Sequence, residues 1–599
     1  MKIKLNWALF LLTAVSYVAY PVWNLPLPAA ARWALLNGFV LLAAGLLYSP
    51  LEEENLELDL PELAQFWPAA LLAAAVCLPF WLTPIASAYD EQSHAGPAAW
   101  LLGRVSSAAG LDVRLLPLFF IPSAAALAVI AVKLREKFGA PGRRAAVLAL
   151  AAAGNLWFFA DLFFGAAGAI GRYETILRYP PLSKFLYLGA YALLGVTEAA
   201  PRAVELCFVL LTALYLLRFL KLFGAEPPKV PAFLLFVFFP TFFNLGLSAE
   251  LEGGTVFFFT ASMYHFIKAA RTADRGQFLK SAFWAAAGFF HKQLLLGLVL
   301  SYLPALALLW LLRPADRKAL AFGLKAFALP LLAGLPFILL SAAAGIRGSG
   351  LTIDSFSDLA LLAVNFKALY LTCGAPLTAL LAAAAAHALY TRRGQALWLL
   401  LYLAGAYHVM ISFTEAAGYI RHAQPSYIAP VLLLGLLFSD LREALPKWAA
   451  SAAMAAILAL CAYQAALAPR PYQRKTAFNF HEAVLPYREA AVYLKGQAPG
   501  LKVYAPMALE PSHFYLAKYG LAGRITWERE LPENFDGEKA AAGIRTFEPD
   551  LVLLPYSDFS WLGSDFRGAA DSLLASGAFR TEKIFEYHGN KLILLKPAI

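Results

Sequence analysis

Two adjacent carboxylates, Asp90 and Glu91, lie in the stretch Ala88-Tyr89-Asp90-Glu91-Gln92-Ser93-His94, directly after a long apolar run. An ionisable pair at the end of a hydrophobic segment is costly to hold near lipid and points by default to function. Other charged residues fall at matching ends of apolar runs: Arg172, Glu174, Arg178 and Lys184; Arg202; Glu250 and Glu252; Lys292; and Glu415, Arg421 and His422. Acids beside several cations suit transfer of a group from a phosphate-linked donor. One carboxylate acts as general base on an acceptor hydroxyl. Lys and Arg stabilise the negative charge that develops on the departing phosphate.

Plainer readings stand beside these. Glu91 also suits the cap of a helix starting near Ser93, where acids favour the N-terminus. Arg202 and Arg421 also suit interfacial anchors whose heads reach back to water. His94 follows Asp90 at a helical spacing that permits shared metal ligation. No motif decides whether a divalent cation is used; His94 is one candidate ligand on this spacing.

The elements that must position these groups are membrane helices. Hydrophobic residues make up 60% of the chain and charged residues 15%, with a mean hydropathy of +0.62, far from a soluble globular profile. Apolar runs of about 18–22 residues recur, each able to cross about 30 Å of hydrocarbon. The expected fold is a polytopic α-helical membrane protein of about 13–15 transmembrane helices, with a small C-terminal extracytoplasmic α/β domain. The net charge of +10 reflects Lys and Arg kept in cytoplasmic loops rather than a nucleic-acid partner. Such clusters include Arg218, Lys221 and Lys229; Lys268, Arg271, Arg275 and Lys280; Arg313, Arg317 and Lys318; and Arg442 and Lys447. With the N-terminus inside and simple alternation, every cluster is cytoplasmic and the chain after roughly Leu467 is outside. None of the four cysteines falls in that last segment, so no disulfide framework or thiolate metal site is implied.

Three segments divide the chain: an N-terminal transmembrane hairpin and acidic loop (1–64), a transmembrane catalytic domain (65–468) and an extracytoplasmic α/β domain (469–599). The first apolar run reads as a retained span, and the acidic loop Leu51 to Leu63 as an interfacial helix. The run from Phe66 to Ile85 then delivers Asp90 to the outer face. The short run Ser281 to Phe290 ends in His291-Lys292-Gln293, as a segment would that stops early with its polar end facing a cavity. Beyond residue 469, Leu501–Ala505, Asp550–Leu554 and Lys591–Leu595 read as strands, and Tyr487–Lys495 and Phe566–Ala575 as helices.

The order of these motifs resembles the GT-C glycosyltransferases, specifically the protein O-mannosyltransferase and aminoarabinose-transferase branch, glycosyltransferase family 39. The likeness is carried by Tyr89-Asp90-Glu91, by Arg178-Tyr179-Pro180-Pro181-Leu182 and by Gly195-Val196-Thr197-Glu198 leading to Arg202. Phe223-Gly224, the acids Glu250 and Glu252, Lys292 after Gly288-Phe289-Phe290-His291, and Arg421-His422 before Pro425 continue it. One departure is plain. The family keeps its acid pair and Pro-Pro-Leu in one outer loop, whereas here an extra hairpin separates them, and Tyr179 stands where the family has His or Lys.

The resemblance implies an inverting transfer of a sugar from a polyprenyl-phosphate-linked donor to a lipid, glycan or protein acceptor outside the cytoplasm. The setting would be a bacterial inner membrane. It makes Asp90 the base, with Glu91 orienting the acceptor or sharing a metal as the second candidate ligand beside His94. Arg178, Lys184, Arg202, Lys292, Arg421 and His422 fall to the donor phosphate, and Tyr89, Glu174, Tyr179, Glu250 and Glu252 to sugar or acceptor. The rival classes are a transporter or flippase for lipid-linked glycans and a glycan ligase or polymerase. A transporter is expected to hold its ionisable groups near mid-membrane on interrupted helices, whereas these cluster at span ends.

Overall fold

The computed structural model describes residues 2–4, 55–57, 65–82, 95–96, 98–99, 102, 182–327, 330, 360–391, 394–412, 420–467, 485–505, 514–515, 518–521, 525–528, 535–556, 560–561, 564–587 and 589–598. Two short strands, β1 (Lys2–Lys4) and β2 (Asn55–Glu57), pair antiparallel with Lys2 opposite Glu57. The expectation of an interfacial helix over the acidic loop is therefore corrected at these residues. A strand partner carrying the opposite charge offers that loop a better neighbour than itself.

A helical body follows, made of α1 (Trp67–Trp81), α2 (Leu182–Leu194), α3 (Ala199–Leu222), α4 (Lys229–Val237), α5 (Pro240–Leu245), α6 (Glu252–Thr272), α7 (Arg275–His291) and α8 (Leu296–Leu312). It continues with α9 (Ala360–Thr391), α10 (Gln395–Ser412), α11 (Ile428–Ala444) and α12 (Lys447–Leu467). Among the described residues five helices are long and apolar enough to cross a membrane. A sixth is added if the bent pair Gly297–Leu312 and Pro314–Phe327 is one span. Large apolar side chains stay exposed on the outer helices, among them Leu71, Leu308, Leu311, Phe366 and Trp398. In water such a surface would aggregate; against lipid it is the expected solvent face.

Local sequence explains the helix ends that matter. At the end of α3, Gly224 takes φ +75°, its N–H bonds Lys221 O at 2.9 Å, and Ala225 N–H bonds Leu220 O at 2.9 Å. This paired closure needs a left-handed residue, which glycine supplies without steric cost. At the start of α7, the Asp274 side chain accepts from Gly276 N–H at 2.8 Å, so the helix begins at Arg275 and not near Ser281. It does stop at His291, where Lys292 turns extended (φ −151°).

α6 packs along both α3 and α7 in the core and is buried along most of its length. Their alternation puts the basic residues at one end. There Arg271 donates to Leu222 O, Arg313 donates to Ala270 O, and Arg442 donates to Glu226 O at 3.1 Å. The starts of α3 and α6 and the end of α7 lie at the other end.

The C-terminal α/β unit carries α13 (Tyr487–Lys495), α14 (Gly537–Phe547) and α15 (Phe566–Ala575) beside a five-stranded sheet of order β4-β3-β5-β9-β8. Its strands are β3 (Leu501–Tyr504), β4 (Ile525–Glu528), β5 (Leu551–Pro555), β8 (Phe579–Tyr587) and β9 (Asn590–Pro597), while β6 (Ser560–Trp561) and β7 (Ser564–Asp565) form a small ribbon. β3 pairs in parallel with β4 and β5, and β9 is antiparallel to β5 and β8. The strands and helices expected from sequence are found here. β5 is buried throughout, as its unbroken apolar run requires. The unit docks on the acidic end of the bundle: Tyr187, Tyr191, Ala249 and Leu251 share one apolar cluster with its core. The Tyr191 and Phe514 rings lie 6.1 Å apart, and Lys518 pairs with Glu198.

Candidate active site

The start of α6 is the centre of the site. Its N-cap residue is Leu251, held at φ +69° with no side-chain cap. A leucine cannot satisfy the free N–H groups of a first turn. The missing cap comes from another helix. Glu205 of α3, fully buried, accepts from Gly254 N–H at 3.1 Å through Oε2, and from the Tyr187 hydroxyl of α2 at 2.7 Å through Oε1. A carboxylate at a helix N-terminus also meets the positive end of the helix dipole.

Two glycines make the approach possible. A β-carbon at Gly253 would lie 2.6 Å from Glu205 Oε2, and one at Gly254 would collide with the His291 imidazole. His291, fully buried between Phe208 and Phe258, sits with Nε2 3.0 Å from Leu251 O. Because a carbonyl oxygen can only accept, Nε2 is the protonated nitrogen. That bond steadies the left-handed Leu251, a conformation costly to a branched side chain.

One residue after Leu251, the Glu252 carboxylate pairs with the Lys292 ammonium. Both side chains are almost fully buried, with 3% and 1% of their surface exposed. His422, in the 3-10 segment Ile420–Tyr427, places Nδ1 3.2 Å from Lys292 Nζ, and Tyr407 donates to His422 O at 3.3 Å. Since an ammonium only donates, Nδ1 is the acceptor in the Lys292 contact. Breaking one half of such a buried pair costs about 3–5 kcal/mol, so the three groups hold one another.

The sequence-predicted residues meet different fates. Glu252, Lys292 and His422 are brought together from distant segments. Glu250 is buried two residues before Glu252, and Lys184 is buried one turn before Tyr187. For Arg202 the plainer reading, an interfacial anchor, does not hold. The residue is fully buried and donates to Trp81 O at 3.1 Å, so it does not reach for water as an interfacial anchor would. Arg421 lies in the same 3-10 segment as His422. Tyr89, Asp90, Glu91, His94, Glu174, Arg178 and Tyr179 lie outside the described residues.

The residues on either side of the Asp90 stretch are nevertheless tied to this end of the bundle. On the N-terminal side, Trp81 accepts from Arg202 and its indole donates to Gly246 O at 2.8 Å. On the C-terminal side, Ala95 O accepts from the Tyr191 hydroxyl at 3.2 Å, one turn along α2 from Tyr187. Among the described residues no group of three or more His, Cys, Asp or Glu is placed to hold a metal ion. Glu205, Tyr187 and His291 were missed as site residues by sequence reasoning. The available signal was a glutamate inside a 24-residue apolar helix, since an intramembrane acid is rarely idle.

No protein-family model matches the chain, and no curated protein does. Among solved structures the chain is similar to ArnT from Cupriavidus metallidurans. In its apo state that protein matches at a TM-score of 0.48 and 12% identity over 89% of this chain and 98% of that one. Bound to undecaprenyl phosphate it matches at 0.46 and 12%, over 88% and 98%. The likeness is one of outline, and the chemistry is read from this chain's own residues.

Proposed function

We propose that the protein transfers a sugar from a polyprenyl-phosphate-linked donor to an acceptor at the extracytoplasmic face of the membrane. The observation that carries this reading is the buried Glu252–Lys292–His422 cluster at the end of the bundle opposite the basic loops. A lysine fixed by a carboxylate and an imidazole is a preorganised cation, with no reorganisation needed when charge develops on a phosphate. Glu252 and His422 act as positioning residues for Lys292. Glu205, Tyr187 and His291 act one step further out, by fixing the first turn of α6 from which Glu252 projects.

In the proposed step the acceptor hydroxyl oxygen forms a bond to the anomeric carbon as the bond from that carbon to the phosphate oxygen breaks, with inversion. The hydroxyl proton passes to Asp90, and the electron pair leaves with the polyprenyl phosphate beside Lys292. Glu91 orients the acceptor. The anchored Trp81 and Ala95 support this assignment, because the chain enters and leaves the Asp90 stretch at the same end of the bundle.

The test is release of polyprenyl phosphate from a polyprenyl-phosphate sugar in proteoliposomes holding the purified protein. Asp90→Asn is expected to abolish release with no fall in the amount of folded protein. Undiminished release by that variant would remove Asp90 from the mechanism. Movement of intact donor across the bilayer with no cleavage would replace the enzyme reading by a flippase.

A further inference from the structure

At the end of the bundle far from the candidate site lies a cavity of ≈ 340 Å³. Four cations line it, Arg218, Lys221, Lys229 and Arg442, against one carboxylate, Glu226. Phe66, Leu214 and Leu217 form an apolar wall. Positive residues at this end are expected from topology alone, but topology asks only that they be present, not that they converge. These come from three separate places: the last turns of α3, the first residue of α4 and the last turn of α11. Arg442 is held over the cavity by its bond to Glu226 O at 3.1 Å, and Arg218 stacks on Tyr215 with its guanidinium 5.1 Å from the ring centre.

Helix ends reinforce the sign. α4 begins at Lys229, and its N-cap residue, Pro228, makes no side-chain cap bond, so the positive end of that helix meets the cavity. The negative end of α3 is nearby but already satisfied, by the Gly224 and Ala225 N–H groups and by Arg271. A cationic hollow with one greasy wall at the membrane boundary matches a phosphate carrying acyl chains.

We propose that this cavity is a binding site for a phosphate-bearing anion, supplied by the headgroup of an acidic phospholipid in the leaflet opposite the candidate site. The site is independent of the sugar-transfer reading. It is tested on the full-length protein by native mass spectrometry with dioleoyl-phosphatidylglycerol, with dioleoyl-phosphatidylcholine as the neutral comparison and sodium phosphate as the soluble one. Wild-type protein is expected to retain phosphatidylglycerol in preference to phosphatidylcholine. The triple variant Arg218→Gln, Lys229→Gln, Arg442→Gln should bind it on the order of a hundredfold more weakly, from about 1 kcal/mol per surface cation. Lys229→Glu alone, which favours the α4 N-terminus and so threatens folding least, should weaken binding by roughly tenfold. Lys318→Gln, exposed just beyond the end of α8 and outside the cavity lining, should leave binding unchanged. Sodium phosphate displacing the lipid, or binding where the lipid does not, upholds the anion site and gives its source as soluble. Equal loss in the cavity and control variants, wild-type affinity in Lys229→Glu, or no preference over phosphatidylcholine would overturn the proposal.

Discussion

Lys292 is the residue on which the proposed chemistry turns, and its partners determine how it must be tested. Lys292→Met alone leaves the buried Glu252 carboxylate unpaired, a loss of about 3–5 kcal/mol that would confuse misfolding with inactivity. Pairing Lys292→Met with Glu252→Gln removes both charges together, and a near-neutral effect on stability is expected. The double variant should therefore melt within a few degrees of wild type while releasing no polyprenyl phosphate. Retained turnover would move the phosphate site elsewhere. Lys292, Glu252 and His422 were legible in sequence because each is a charged or titratable residue at the end of an apolar run. Glu205 sits inside such a run: its presence there signals function, but its role as the cap of α6 shows only in the fold. Arg202 falls to the donor phosphate by the family resemblance, and an arginine near a helix start also suits a surface anchor. Its bond to Trp81 O shows a tie between helices.

At the scale of the element, the first turn of α6 depends on having no side chains at Gly253 and Gly254. Gly254→Ala drives a methyl group into the His291 ring, which has no room to yield between two phenylalanines. Overpacking of this kind costs about 1–3 kcal/mol, so a clear fall in Tm is expected, together with loss of transfer. Gly405→Ala in α10 meets nothing within 4 Å and should stabilise by about 0.4–1 kcal/mol. Thermal melts of the two variants side by side check the pair, and equal melts would refute the close packing of α6. Helix existence was readable from hydropathy, and so were the strands of the α/β unit. Boundaries were harder where a capping residue, such as Asp274, sits ahead of the apolar run.

For the whole molecule, the separation of charge between the two ends predicts an orientation. Cysteine placed at Arg442 is expected to react with an impermeant maleimide only from the cytoplasmic side, and cysteine at Lys583 of β8 only from the opposite side. Both would be introduced after replacing the four native cysteines. Labelling of both from one side would defeat the sidedness on which the reaction depends. The α/β unit is held to the bundle by a shared apolar seam and the Lys518–Glu198 pair, so Lys518→Glu should expose the seam to faster hydrogen exchange around Tyr191 and Phe514.

The carboxylate that completes α6 belongs to α3, a helix made earlier in synthesis. When α6 emerges from the ribosome its partner already stands ready, and the later helix has only to dock to become finished. A circular permutant that delivers α6 before α3 would present an open helix terminus during insertion, and slower maturation at unchanged final stability is the signature to seek.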